Sequence, residues 1–278
     1  LEAAFTVLGG IALQGIRLAE PRLGETFVVY GLGLIGLITV QLLQASGCEV
    51  LGVDINPERL AIAEQFGARI VNGASDGEPV AAAAGALTSG NGVDGVLITA
   101  SAKSDDIVHQ AAKMCRKRGR IILVGIVDLN LRRSDFYEKE LTFQVSCSYG
   151  PGRYDDNYER KGQDYPLGFV RWTEQRNFEA VLGTMKAGAL KVDVLITHRF
   201  PLEEASRAYE MVSGDSSALG VILEYSGKPE PVRTIRLESE KTRASGRVVA
   251  AMIGAGNFAK MTMAPALAKT SARLKYVS

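Results

Sequence analysis

The sequence predicts an α/β fold: a doubly wound parallel sheet forming one main domain, followed by a truncated second βαβ unit. Three observations carry that expectation. Short apolar strand runs alternate with helical patterns from residue 27 to residue 147. A glycine-rich turn, Gly31, Gly33 and Gly36, joins the first strand to its helix, and the next strand ends in the acid Asp54. The same strand, glycine turn and helix then recur near the end of the chain, around Gly254 and Gly256.

The turn has a physical rationale. Residues 27–30 (Phe-Val-Val-Tyr) read as a buried parallel strand, and the apolar run 34–43 as the following helix. Gly31 permits a tight turn, Gly33 lets backbone approach a pyrophosphate, and Gly36 lets helix pack close on strand. Phosphates would then meet the amide donors and dipole of a helix N-terminus. The strand at 49–53 places Asp54 18 residues beyond Gly36. An acid about 20 residues on can accept the ribose hydroxyls of NAD. The competing reading is a structural turn with no nucleotide, but strand, fingerprint, helix, strand and acid coincide here.

The remaining elements follow in order. Residues 3–20 show helical spacing, with Ala4, Leu8, Ala12, Gly15 and Leu18 on one face, and Pro21 and Gly24 end the segment. Asn56-Pro57 starts a helix that Gly67 stops, and 69–71 is a short third strand. The Ala-rich stretch 80–87 is a helix and 93–98 the fourth strand. Residues 104–116 predict a helix with an acidic start and a basic end, completed by Lys117 and Arg118. The fifth strand is expected at 121–125 and the sixth at 141–147, where Leu141, Phe143 and Val145 alternate. Residues 149–166 read as a long loop with Tyr149, Tyr154, Tyr158 and Tyr165, either covering a surface or forming a polar aromatic rim for a hydroxylated substrate. A helix over 169–188 would turn Trp172, Phe178, Val181, Leu182 and Met185 inward. A strand at 195–200, a helix to Val212 and a strand at 220–225 complete a first domain, 1–227. Residues 228–246 read as a linker, although 232–237 alternates enough for an edge strand, and 247–278 as the start of a second unit.

Composition narrows the function classes. The chain has 278 residues, 46% hydrophobic, enough for one large or two smaller domains. A net charge of +1 gives no sign of a nucleic-acid or membrane-surface protein. Cys48, Cys115 and Cys147 are odd in number and widely spaced, which argues against a disulfide scaffold and fits a reducing cytoplasm. No apolar run reaches the ~20 residues of a membrane helix, and no signal peptide is evident. The chain opens in mid-pattern at Leu1, so a piece of a longer protein is expected.

Three stretches carry a resemblance: Gly31-Leu32-Gly33-Leu34-Ile35-Gly36, Val53-Asp54-Ile55-Asn56-Pro57-Glu58-Arg59, and Leu195-Ile196-Thr197-His198-Arg199-Phe200-Pro201-Leu202-Glu203-Glu204-Ala205. In order and character the chain from about Ala3 to Tyr225 resembles the Rossmann, nucleotide-binding half of the medium-chain dehydrogenase/reductase superfamily. The stretch 253–259 resembles the start of the glucose-fructose oxidoreductase and inositol dehydrogenase family. Together they imply part of a bi-domain oxidoreductase that moves a hydride between a nicotinamide cofactor and an alcohol or ketone, on a sugar or polyol. The alternative is a nucleotide-binding module without catalysis, serving assembly. In zinc-dependent members the segment before the fingerprint supplies a Cys ligand. The matching position here falls on or near Thr6, a poor zinc ligand, so no metal site is expected.

The resulting site reads as follows. Gly31, Gly33, Leu34 and Ile35 touch the pyrophosphate, with Gly36 closing the fingerprint behind them, Asp54 holds the adenosine ribose, and Arg59 covers the adenine. Thr99, Ala100, Ser101, Val124, Gly125 and Ile126, at the ends of strands four and five, flank the nicotinamide and its ribose. NAD is expected over NADP, because Asp54 would repel a 2′-phosphate. No catalytic acid is nameable; His109 reads as structural, and His198 is given no role. A homodimer through strand 141–147 is expected, as the resembled superfamily pairs this strand with its symmetry mate.

Overall fold

The computed structural model describes residues 2–74, 78–214, 218–225, 227, 246 and 248–278. The chain divides into two compact units, 1–226 and 227–278. Apart from Gly246, the expected linker 228–246 lies outside the described residues, as does the edge strand expected at 232–237.

The first unit is built on a six-stranded parallel sheet in the order β3-β2-β1-β4-β5-β6. Its strands are β1 (Thr26–Tyr30), β2 (Glu49–Asp54), β3 (Arg69–Asn72), β4 (Val93–Ile98), β5 (Cys115–Leu123) and β6 (Thr142–Val145). Strand side chains alternate between two cores, as the pleat requires. Phe27, Val29, Leu97 and Ile122 pack on one face with Ala12 and Ile16 of α1 (Thr6–Ala19), Leu37 and Ile38 of α2 (Leu34–Ala45) and Val181 of α8 (Glu174–Lys186). Val28, Tyr30, Val96, Ile98 and Ile121 pack on the other with Val80 and Ala84 of α4 (Glu78–Leu87) and Val108 and Ala111 of α5 (Asp106–Met114). Both faces are covered, which is why these strands are nearly continuous apolar runs.

The linking helices begin where local chemistry allows. The Asn56 side chain caps α3 (Pro57–Gln65) by accepting from the amides of Glu58 and Arg59, with Pro57 in the first turn. Thr173 caps α8 in the same way. Two short parallel strands, β7 (Ile196–Pro201) and β8 (Gly220–Glu224), form a separate sheet, and α9 (Ala205–Gly214) connects them.

Several expectations are corrected. The helix expected over 104–116 stops at Met114, and Arg116, Lys117 and Arg118 belong to β5. The Lys139 ammonium donates to the carbonyls of Ala112, Lys113 and Cys115, supplying the positive helix end that those residues were expected to give. The helix expected from 169 begins at Glu174. Leu182 faces outward, whereas Asn177 is fully buried and bonded to the Tyr149 carbonyl and to Arg17. The 149–166 loop contains one short helix, α7 (Asp156–Glu159), and another, α6 (Arg133–Tyr137), precedes β6. Ala4 is exposed rather than on the packed face of α1.

Taken by itself, the second unit pairs β9 (Val249–Met252) with β10 (Arg273–Val277) in parallel. Between them runs a π-helical turn at Ala259–Met263 followed by α10 (Ala264–Ala268).

Candidate functional site

Strand order reverses between β1 and β4: the chain steps outward from β1 to β3, then returns to β4 on the opposite side of β1. Open α/β sheets bind ligands at the carboxyl ends of the strands at such a point. A cleft of about 510 Å³ lies there, with Gly31, Gly33, Asp54, Arg59, Thr99, Ala100 and Ser101 among its lining residues.

The glycines act as the sequence suggests, each for a different reason. Gly31 has φ +96°, and a Cβ there would lie 2.5 Å from the Ala100 nitrogen. A Cβ on Gly36 would lie 1.9 Å from the Gly31 carbonyl oxygen, so helix and turn touch backbone to backbone. Gly33 differs: a Cβ there would meet nothing within 4 Å. Packing does not require glycine at that position. Gly33, in the cleft lining, is the N-cap of α2 and has no side chain to cap it, so no side chain engages the first amides of the helix.

Asp54, at the end of β2, is 8% exposed and lines the same cleft. Its Oδ2 accepts from the Leu32 amide at 2.6 Å and its Oδ1 from the Asn56 amide at 2.8 Å. Each carboxylate oxygen keeps a further lone pair. The Thr99 hydroxyl donates to the Gly31 carbonyl and ties the turn to the end of β4.

Other predicted positions stand apart from the cleft lining. Leu34, Ile35 and Gly36 form the first turn of α2 behind Gly33. Val124 packs against the core, Gly125 abuts the Ala100 carbonyl, and Ile126 is 77% exposed. These three continue the carboxyl edge one strand further on. The Ile126 amide donates to Ala100 and the Ala102 amide to Ile126, with Ser101 and Ile126 forming a bridge.

Sequence reasoning missed Tyr30, Gly73, Ile107 and Gln110 among the lining residues. Tyr30 stands immediately before Gly31 and had a readable signal; Gln110, mid-helix, had none. Burial, with Asp106 and Asp54 adding to it, raises the pKa of the Tyr30 hydroxyl and keeps it protonated.

Among the described residues, no group of three or more His, Cys, Asp or Glu is placed to hold a metal ion. The Thr6 hydroxyl donates to the Ala3 carbonyl. His109 pairs with Asp135 at 2.8 Å, and His198 with the Thr197 hydroxyl at 3.0 Å. In the tyrosine segment, Tyr165 donates to Asp155, Arg153 pairs with Glu159, and Tyr158 stacks on Tyr165 at 5.5 Å. Those polar groups are largely turned on one another.

Residues 35–160 match the family model described as zinc-binding dehydrogenase. An alcohol dehydrogenase of Rhizobium meliloti (strain 1021) is 29% identical over 191 residues, covering 68% of this chain and 55% of the relative. A D-xylulose reductase of Saccharomyces cerevisiae is 28% identical over 218 residues, covering 73% and 51%. The chain thus spans about half the length of the curated relatives it matches. Two solved structures share the fold. One, a short chain alcohol dehydrogenase from Escherichia coli CFT073 complexed with NADH, has TM-score 0.61 and 23% identity, covering 79% of this chain and 58% of that one. The other, a protein from Sinorhizobium meliloti 1021 bound to NADP, has TM-score 0.60 and 24% identity, with the same coverage. The family model and the curated relatives support the medium-chain dehydrogenase/reductase superfamily, and the solved structures share its fold.

Proposed function

We propose that residues 1–227 are the NAD-binding domain of an alcohol-dehydrogenase-like oxidoreductase that moves a hydride between nicotinamide and an alcohol or ketone carbon. The observation that carries this is Gly33: an unobstructed glycine at the uncapped start of α2, beside the half-engaged carboxylate of Asp54. Open backbone at a helix N-terminus suits a pyrophosphate, and a carboxylate with spare lone pairs suits a ribose diol. The amides of Gly33, Leu34 and Ile35 would hold the phosphates and Asp54 the adenosine ribose. The Thr99–Ser101 and Val124–Ile126 edges would flank the nicotinamide. The cofactor supplies the hydride chemistry; these residues bind and orient it.

The substrate class follows from relatives named as alcohol dehydrogenase and D-xylulose reductase, which favour a secondary alcohol on a sugar or polyol. Solved neighbours hold NADH in one case and NADP in the other, and Asp54 favours NAD here. No zinc is assigned to this chain, given Thr6 at the expected ligand position. We read the protein as a cytoplasmic homodimer joined at β6, and residues 247–278 as a second Rossmann-type unit after a linker. Calorimetric titration with NAD, and turnover by the full-length protein on a panel of sugars and polyols, test the reading. NAD binding without turnover on any alcohol would favour a non-catalytic nucleotide-binding module.

A further inference from the structure

The inference drawn here rests on the nucleotide reading above and concerns the part of the cleft lining next to Asp54. The lining includes Ile55, which follows Asp54 in the chain, and Gly73, whose amide donates to the Asp54 carbonyl, together with Ile107, Tyr30 and Gln110. A Cβ on Gly73 would lie 2.9 Å from Val53 Cγ1 and 3.4 Å from the Tyr30 hydroxyl oxygen, so the wall there has no room for a larger residue. Apolar Ile55 and Ile107 suit the faces of a planar ring. The polar pair suits its edge.

The Tyr30 hydroxyl donates to Gln110 Oε1 at 2.8 Å. A phenol has one hydrogen, and that bond uses it. The bond also fixes the amide: its oxygen is engaged, and its NH2, which can only donate, is left for a ligand in the cleft. Purine ring nitrogens are acceptors without attached hydrogen and match that donor. Held mid-helix on α5 and tethered by a buried hydroxyl, the amide is oriented before ligand arrives, so little rotamer freedom is lost on binding.

We propose that Gln110, oriented by Tyr30, reads the base of the nucleotide by donating from its amide NH2 to a purine ring nitrogen. Tyr30 is a positioning residue and Gln110 a specificity residue for the cofactor.

The test compares wild type, Gln110→Leu and Tyr30→Phe in calorimetric titrations with ADP-ribose, which carries the base, and with nicotinamide mononucleotide, which does not. The thermal midpoint of each free protein is measured in parallel. Gln110→Leu should weaken ADP-ribose roughly 3- to 10-fold, and Tyr30→Phe by about 2- to 5-fold, as expected for loss or misorientation of one neutral hydrogen bond. Nicotinamide mononucleotide should bind all three proteins alike. Unchanged ADP-ribose affinity in both variants overturns the inference, whether or not the thermal midpoints fall; a fall alone would mark the pair as structural. Equal weakening of both ligands also overturns it, because the effect would then not reside at the base. If wild type binds neither ligand, the nucleotide reading itself fails and this inference with it.

Discussion

The Asp54 carboxylate, at the end of β2, accepts the backbone amide of Leu32 at 2.6 Å, in the turn after β1. The fingerprint's acid therefore braces the fingerprint's own loop as well as facing the cleft. Removing it acts twice. Asp54→Ala leaves the buried Leu32 amide without its partner, along with that of Asn56, and should cost about 1–3 kcal/mol of folding stability in urea titration. It should also weaken NAD.

The same carboxylate sets the cofactor preference. The 2′-phosphate of NADP would bring a second strong negative charge against an acid already held in place, and the ribose would lose a hydroxyl donor. Wild type should prefer NAD by ~2–4 kcal/mol, about 30- to 1,000-fold. Asp54→Ala should narrow that ratio. Equal affinities in wild type, read by calorimetry, would show that Asp54 does not meet the ribose.

The turn glycines should separate folding from binding. Gly36→Ala would push a methyl to within 1.9 Å of the Gly31 carbonyl, and backbone must shift to admit it. A loss of roughly 1–3 kcal/mol is expected. Gly33→Ala meets nothing within 4 Å, so the thermal midpoint should stay close to wild type. NAD affinity should nonetheless fall at least tenfold, since the methyl occupies space offered to the pyrophosphate. If Gly33→Ala binds NAD normally, that space is not the phosphate site.

Local pattern carried most of the sheet. The Phe27–Tyr30 run, the Asn56-Pro57 cap and the Gly31, Gly33, Gly36 spacing are all short-range signals, and the elements they mark form as expected. What local pattern missed depends on groups far apart in sequence. The basic run Arg116–Arg118 reads as a helix end, yet Lys139 takes over that role from 24 residues away at the Cys115 carbonyl and frees the run for β5. Asn177 carries no local signal of burial, yet Arg17 and Tyr149 supply its partners inside the fold, while Leu182, expected inward, faces out. Gln110 has meaning only once α5 lies against the end of β1.

The three thiols should differ in reactivity. Cys48 and Cys115 are buried and Cys147 is exposed. Burial pushes the Cys115 thiol up to about 12, with Lys139, Arg116 and Arg120 opposing the rise only in part. At pH 8 a colorimetric thiol reagent should modify Cys147 quickly, and the other two only on unfolding. The pH dependence of stability follows from the sign. A thiol whose folded value lies above its unfolded value of about 9 stabilises the fold fully below pH 9, and that contribution is lost as pH climbs toward 12. Between pH 9 and 11, wild type should therefore lose stability more steeply than Cys115→Ala. Parallel slopes in urea titrations would show that Cys115 ionises freely in the fold.

The free edge of β6 gives the last prediction. β6 pairs with β5 alone, in the register Leu123 with Val145, and no further strand covers its outer side among the described residues. The Ser146 amide donates inward, to the Leu123 carbonyl. Successive residues of a strand point their amides to opposite sides, so the Val145 amide points outward. Val145 itself is 54% exposed, an apolar side chain on an open edge of the kind that invites pairing. A symmetric partner strand would use that outward donor. Val145→Pro should remove it while the β5–β6 ladder keeps its inward bonds, leaving a folded monomer. Sedimentation of wild type at micromolar concentration should show a dimer, and of Val145→Pro a monomer with an unchanged circular-dichroism spectrum. A monomeric wild type, or a Val145→Pro variant that remains dimeric, would exclude this edge as the interface.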